Sequence, residues 1–308
     1  MYEELVEAEE RRVLLPLTAL LKKSRKRLRA FEQALREKAT WSPVLPDPIL
    51  APYEYYRYDY AIAGRAFDYW LRAFLSVCYR VVEGPTIIDM LAERPSDYDG
   101  HTVTEDNGQE IPLAIALISV ARKRHEAIAA HKILSKSFLE NCIEHGMLEG
   151  IYRAGEIAEL SCPSEIMVED LHAMADVAIM NRAIFGGRKV DLNPRFEHVT
   201  FAADGDFAIG NRLVDIKTTK DLVPSLAFSQ VVCYAVIEAW ARGASLEDLR
   251  YCDVGVYSAR YAAIGVVHLR DVAGLIPAFR RFLEESEEQH LKQQQDGEAE
   301  TVASEGEA

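Results

Sequence analysis

The 308-residue sequence predicts an α/β or α+β domain, a small mixed and mostly antiparallel sheet with helices before, between and after it. Two observations carry that expectation. Apolar residues recur at helical spacing as far as Ile184, and the period changes to an alternation of two after Asn193-Pro194. In the second part, short alternating runs are punctuated by a Gly210-Asn211 hairpin signal and by one long, nearly all-apolar helix.

Within residues 1–40, Leu17, Leu20, Leu21, Leu28, Phe31 and Leu35 share a helical face. The basic residues Lys22, Lys23, Arg25, Lys26, Arg27 and Arg29 interrupt them on the other side. Four prolines between Trp41 and Pro52 predict an extended linker. The run Tyr53–Tyr60 reads YEYYRYDY, and a helix follows from about Tyr60 to Val82. Pro95–Gln109 is polar and turn-rich, a surface loop, and helices are expected across Leu113–His145 and near Val168–Ile184. Arg195–Ala203, Asp206–Ile209 and Arg212–Thr218 read as strands. Pro224 suits the first turn of the apolar helix ending near Arg242-Gly243. Strands over Asp253–Ser258 and Ala263–Leu269 and a helix from about Val272 complete the domain. The Gln/Glu/Gly-rich end is expected to be disordered. The organisation read from this is a basic helix and Pro-rich linker over 1–52, a folded domain over 53–288 and an acidic tail over 289–308.

Composition narrows the class. With 49% hydrophobic and 27% charged residues, a wholly disordered or fibrous chain is excluded. No apolar run approaches the ~18 residues of a membrane span. The start, MYEELVEAEERR, is acidic where a signal peptide is basic. Cys78, Cys142, Cys162, Cys233 and Cys252 are scattered and contain no C-x-x-C, which argues against a disulfide framework or zinc ribbon and fits the cytoplasm. The Gly186–Lys189 segment lacks the spacing of a phosphate-binding loop, and neither H-E-x-x-H nor G-x-S-x-G occurs. Net charge is −14, at face value a poor match to nucleic acid. The segment from Glu284 onward supplies −8 of it, however, so the basic cluster stands out locally as a candidate phosphate-binding surface, or as a plain solvated helix face. The tyrosine-rich run offers either faces for base stacking or cover for a core edge.

The informative stretch is FAADGDFAIGNRLVDIKTTK, Phe201–Lys220. Alternation puts Leu213, Asp215 and Lys217 on one face of a strand and Val214 and Ile216 on the other. With Gly210-Asn211 as the turn, Asp206 lies opposite Asp215, and Asp204 opposite Lys217. Facing carboxylates repel, and either solvent or a divalent cation must offset them. Lys217, one strand step away, suits a water-orienting or charge-stabilising role at a phosphoryl oxygen. Two further features belong with these. Asp68 shares a helical stripe with Gly64, Leu71 and Leu75, where an acid needs a partner or a helix-start position. Gln230 and Tyr234 lie four apart on the apolar helix, where a glutamine is costly without a specific hydrogen bond.

Gly-x-x-x-Asp on an early helix, then Asp, then hydrophobic-Asp-x-Lys, then Gln-x-x-x-Tyr resembles the PD-(D/E)XK nuclease superfamily, in particular its RecB-like branch. AGRAFDYWLRAFL, MLEGIYRAG, VDIKTTK and VYSAR are similar to a bacterial family of RecB-like proteins, over roughly residues 60–270. The resemblance implies a restriction-endonuclease-like core and a Mg²⁺- or Mn²⁺-dependent nuclease acting most readily on DNA. It implies that Asp206, Asp215 and the Ile216 carbonyl bind metal, that Lys217 is the catalytic lysine, and that Gln230 and Tyr234 line the site near the nucleic acid. Asp68 stands where that branch usually carries histidine; a carboxylate there suits a hard cation. Glu149, within MLEGIYRAG, is either a further site member or a solvated helix acid. The same resemblance admits a non-cleaving nucleic-acid-binding or assembly subunit that keeps the fold.

Overall fold

The structure, a computed structural model, describes residues 15–42, 48–53, 55, 57–98, 100–104, 108–154, 163–186, 189–198, 200–245 and 248–305. In chain order, β1 (Leu15–Pro16), α1 (Leu17–Lys23), α2 (Arg25–Lys38) and β2 (Thr40–Trp41) precede the long helix α3 (Arg57–Tyr79). A short helix α4 (Ile87–Ala92) and a hairpin of β3 (Thr102–Thr104) and β4 (Glu110–Pro112) come next. Three helices follow, α5 (Leu113–Ala129), α6 (Lys136–Ala154) and α7 (Glu165–Met180). Strands then dominate: β5 (Val190–Leu192), β6 (Arg195–Glu197), β7 (Phe201–Asp204), β8 (Phe207–Ile209) and β9 (Arg212–Lys217). Helix α8 (Ala227–Ala241), β10 (Asp253–Ser258), β11 (Ala263–His268) and α9 (Ile276–Glu305) complete the chain.

The main sheet has the order β2-β11-β10-β9-β8-β5, and a smaller one the order β1-β7-β6. In the main sheet only β9 and β10 run parallel. Parallel neighbours need a long crossover, and α8 provides it. Both faces of the sheet are covered, so its central strands are apolar on both sides. Val214, Ile216, Tyr257, Ile264 and Val266 pack under α3, α6 and α7. Leu213, Val254, Val256 and Val267 pack under α2, α8 and α9. The chain is therefore an α/β protein, a mixed sheet between two helical layers.

Four features differ from the sequence reading. The Leu113–His145 stretch is two helices, because the chain turns at His131, which adopts φ 54°. The 95–109 region contains a 3₁₀ turn and strand β3 as well as loop. Helix α2 is part of the second core, with Leu28 and Leu35 fully buried, rather than an appendage. Finally, the backbone from Gln289 to Glu305 continues α9 as helix. Phe279, Phe282 and Leu283 anchor its first turns in the core, and the Glu, Gln and Ala that follow are good helix formers. Residues 43–47 of the linker, Cys162, and Glu54 and Tyr56 of the tyrosine-rich run lie outside the described residues.

Candidate active site

The site forms where β8 stops before β9 does. Ile209 faces Arg212 and Phe207 faces Val214, the register that the Gly210-Asn211 turn predicts, and Gly210 adopts φ 62°. Beyond Val214 the strand keeps only β10 as a neighbour, so the Asp215–Lys217 end has an open edge. Asp206 closes part of that edge with its side chain. Its Oδ2 accepts the Ile216 main-chain N–H at 2.5 Å, where the carbonyl of a longer β8 would otherwise lie. Gly205 makes the bend possible, since a Cβ there would meet Leu213 Cδ1 at 2.9 Å. Upstream of this bend the chain belongs to the smaller sheet. Asp204 is exposed and sits opposite Arg195, not opposite Lys217 as an unbroken hairpin would place it.

Strand alternation sends Asp215 and Lys217 toward α8, as expected. Asp215 is 3% exposed, and its Oδ2 lies 2.6 Å from Lys217 Nζ. Lys217 Nζ also donates to Gln230 Oε1 at 3.3 Å, and Gln230 Nε2 donates to the Tyr234 hydroxyl at 2.6 Å. The glutamine on the apolar helix thus has two specific partners. From the opposite layer α3 brings Asp68. It comes close because Gly64 faces the end of β9; a Cβ there would meet Thr218 Oγ1 at 3.0 Å. Asp68 Oδ2 accepts from Arg72 Nη2 at 2.6 Å, while its Oδ1 is buried without a hydrogen-bond partner. All of these groups, with Ile216 and Glu149, line one cleft of about 1050 Å³.

Burial sets the electrostatics. It pushes the Asp206 carboxyl up to about 7, reinforced by the Asp215 carboxylate and opposed by Lys217 and the Ile216 N–H. Asp68 also rises to about 7 through burial, with Arg72 opposing and Asp206 and Glu149 reinforcing. Asp215 is raised by burial against the pull of Lys217. For Lys217 itself burial acts downward, but Asp215 and Asp206 outweigh it, so its ammonium is held more firmly than in water. The acids therefore feel one another across the cleft. Even so, among the described residues no three His, Cys, Asp or Glu side chains stand together as a ready metal-ligand set. The reason is visible in their partners: Asp206 is turned to the Ile216 N–H, Asp215 to Lys217 and Asp68 to Arg72. The chemistry of the donors, all carboxylates with one unengaged oxygen on Asp68, nevertheless suits a hard divalent cation.

Two supporting residues, Arg72 and Arg260, escaped the sequence reading, and Glu149 was left open by it. Arg72 is one turn beyond Asp68, and that spacing on an apolar helix was the available signal. Glu149 is buried and accepts the Tyr69 hydroxyl at 2.8 Å, so it is not a solvated helix acid. Arg260, within VYSAR, is 1% exposed; its Nη1 and Nη2 grip both oxygens of Asp170 at 2.8 and 2.9 Å. Its Nε donates to the Thr218 carbonyl at 2.7 Å, which fixes the chain just after Lys217. No signal in one sequence links Arg260 to Asp170, 90 residues apart.

The basic cluster divides. Arg27 turns toward α9, pairing with Glu285 at 2.6 Å and lying 5.1 Å from the Phe282 ring centroid. It is thus paired within the protein, in a half-exposed surface ion pair. Lys22 and Lys23 are exposed, whereas Arg25, Lys26 and Arg29 line a separate groove. Among the described residues no helix is long and apolar enough to cross a membrane. Comparison with protein-family models, with curated proteins and with solved structures found no match to this chain.

Proposed function

We propose that this protein is a divalent-metal-dependent nuclease with a restriction-endonuclease-like core, cleaving phosphodiester bonds, in DNA by preference. One observation carries the reading: three mutually repelling carboxylates, Asp215 buried and Asp68 and Asp206 half-buried, converge at an open strand end beside a lysine. Such an arrangement costs stability unless a cation or substrate offsets it. Asp206 and Asp215, with the Ile216 carbonyl and with Asp68 opposite, would hold Mg²⁺ or Mn²⁺. Once bound, the ion supplies Lewis-acid stabilisation of phosphoryl charge and a lower pKa for water.

The chain's own groups do the positioning. Lys217, kept protonated by its acidic neighbours, meets negative charge on a non-bridging phosphoryl oxygen and aligns the attacking water. Gln230 fixes the ammonium through its Oε1, and Tyr234 fixes Gln230. Arg72 holds one oxygen of Asp68, which leaves the other buried without a hydrogen-bond partner. The test is incubation of the protein with labelled single- and double-stranded DNA and RNA in Mg²⁺, Mn²⁺ or EDTA. Cleavage that needs a divalent ion is expected, and no cleavage under any condition overturns the reading.

One observation favours a second reading. Every site carboxylate is already engaged by a donor of the protein, as in a fold kept for binding alone. A non-cleaving nucleic-acid-binding subunit predicts oligonucleotide binding that is unchanged by divalent ions, with no product.

A further inference from the structure

On a chain of net charge −14, one concavity is strongly basic. It lies between α2 and the loop after β9, with a volume of about 900 Å³. Arg25, Lys26, Arg29 and Lys220 line it, all exposed and none in an ion pair among the described residues. Its two acids do not cancel them. Glu32 is consumed by Arg36 at 3.1 Å and by the main-chain N–H and hydroxyl of Ser229, leaving Asp221 alone. Tyr261 also lines the groove, its hydroxyl donating to the Lys220 carbonyl at 2.8 Å, so an aromatic ring is fixed beside a cation. One loop joins the two concavities in the chain: Lys217, Thr218 and Thr219 line the cleft, and Lys220 lines the groove.

We infer that this groove takes a single-stranded nucleic acid running on from the cleft, its phosphates on the four cations and a base against Tyr261. The inference deepens the nuclease reading and rests on it for the strand's other end. Cations that follow a backbone beside a stacking ring are the arrangement that binds single strands, because a duplex hides its base faces from a tyrosine. Arg25 and Arg29 lie one helical turn apart and so present adjacent charges along α2.

The test is fluorescence anisotropy with the full chain in EDTA, where binding is read without cleavage. The probes are a 20-nucleotide single strand, the same length of duplex, and a poly-glutamate peptide as competitor. The variants are Arg25→Ala/Lys26→Ala/Arg29→Ala/Lys220→Ala together, Tyr261→Leu, and Lys22→Ala/Lys23→Ala as the control on the same basic stretch. With about 0.7 in log–log salt slope per single-strand phosphate contact, the fourfold variant is expected to lose roughly 3 units of slope. Tyr261→Leu is expected to weaken binding several-fold with the slope unchanged, and Lys22→Ala/Lys23→Ala to change neither. The inference is overturned if the fourfold variant keeps its slope, if the control flattens it as much, if duplex binds as tightly, or if poly-glutamate competes equally well. Because binding is read without metal, groove-dependent binding with no cleavage in Mg²⁺ sustains this inference and sinks the nuclease reading. Cleavage with groove-independent binding does the opposite.

Discussion

The cleft and the groove hold charge in opposite ways. In the cleft, Asp215 is buried and Asp68 and Asp206 are half-buried, and all three are held above the usual carboxylate range by desolvation and by one another. In the groove, Arg25, Lys26, Arg29 and Lys220 are exposed and make no ion pair among the described residues. Exposed cations cost the fold almost nothing, whereas each buried, poorly compensated carboxylate costs several kcal/mol. The cleft is thus informative through what it costs and the groove through its arrangement alone. Seen from the sequence, the six basic residues of the 22–29 stretch form one cluster; the fold assigns Arg27 to α9 and replaces it in the groove with Lys220, almost 200 residues away.

The sharpest way to break the comparison is to remove the frame that joins the two regions. Arg260 fastens the Thr218 carbonyl, between cleft and groove, while gripping Asp170 with both partners fully buried. Removing one member of such a pair leaves a buried, uncompensated charge, worth about 3–5 kcal/mol. Arg260→Ala is therefore expected to lose that much in denaturant unfolding at unchanged m value, and to impair cleavage and single-strand binding together. A loss under 1 kcal/mol would show that the pair is not what holds the loop.

Next in size is Lys217→Ala. Deleting a group that stabilises transition-state charge typically lowers kcat by about 10²–10³-fold. Lys217 borders the cleft, so far-ultraviolet circular dichroism and anisotropy of bound single strand should remain near wild type, although buried Asp215 loses its partner and some stability goes with it. An active Lys217→Ala protein removes the lysine from the mechanism.

The hairpin register was legible because a turn type and a two-residue period leave few choices, and the pairs from Ile209–Arg212 to Phe207–Val214 followed from counting; the ladder ends there, and Asp206 beyond it accepts the Ile216 N–H. Asp204 did not follow, because a bend at Gly205 hands the chain from one sheet to the other, and only the packing against Leu213 reveals it. Gln230 and Tyr234 were legible as polar residues on an apolar helix. Arg260–Asp170, Arg124–Glu83 and Tyr69–Glu149 were not, since each joins distant segments through side chains alone. The helical continuation of α9 past Gln289 was hidden by composition, which describes solvation but not an anchor such as Phe282.

A third test sets pH and metal against each other. Asp68 and Asp206 are raised to about 7 from an ordinary 3.8, so the folded protein keeps protons that the unfolded chain releases between about pH 4 and 7. Stability of the metal-free protein should therefore be highest at the acid end of that window and fall as pH rises through it. Mg²⁺ or Mn²⁺ needs the ionised acids, so it should stabilise most near pH 7.5, by about 2.7 kcal/mol at a hundredfold excess over its dissociation constant. Melting curves from pH 5 to 7.5, with and without each ion, read both effects. Asp215→Asn is expected to flatten the metal-free fall, by relieving Asp206, and to abolish most of the metal gain. No gain in wild type from either ion rules out the metal centre.

The smallest effect is expected at Glu32, a groove residue that also holds the helix carrying two cleft residues. Glu32 is on α2, the groove helix, yet its Oε2 accepts the Ser229 N–H at 2.8 Å and so caps the first turn of α8, the helix that carries Gln230 and Tyr234. Its Oε1 restrains Arg36, whose Nη2 also donates to the Pro224 carbonyl at 2.7 Å. Losing a helix-capping acceptor costs about 1 kcal/mol. Glu32→Ala should therefore lower the free energy of unfolding by that amount while removing an acid from the groove wall and releasing part of Arg36. Single-strand affinity should hold or rise, and the salt slope should steepen by no more than about 0.7, the share of a single phosphate contact. Stability and binding would then move in opposite directions in one variant, the outcome that separates a residue serving the fold from one serving the ligand. If Glu32→Ala loses single-strand binding in proportion to stability, the groove depends on the α2–α8 junction rather than on its free cations.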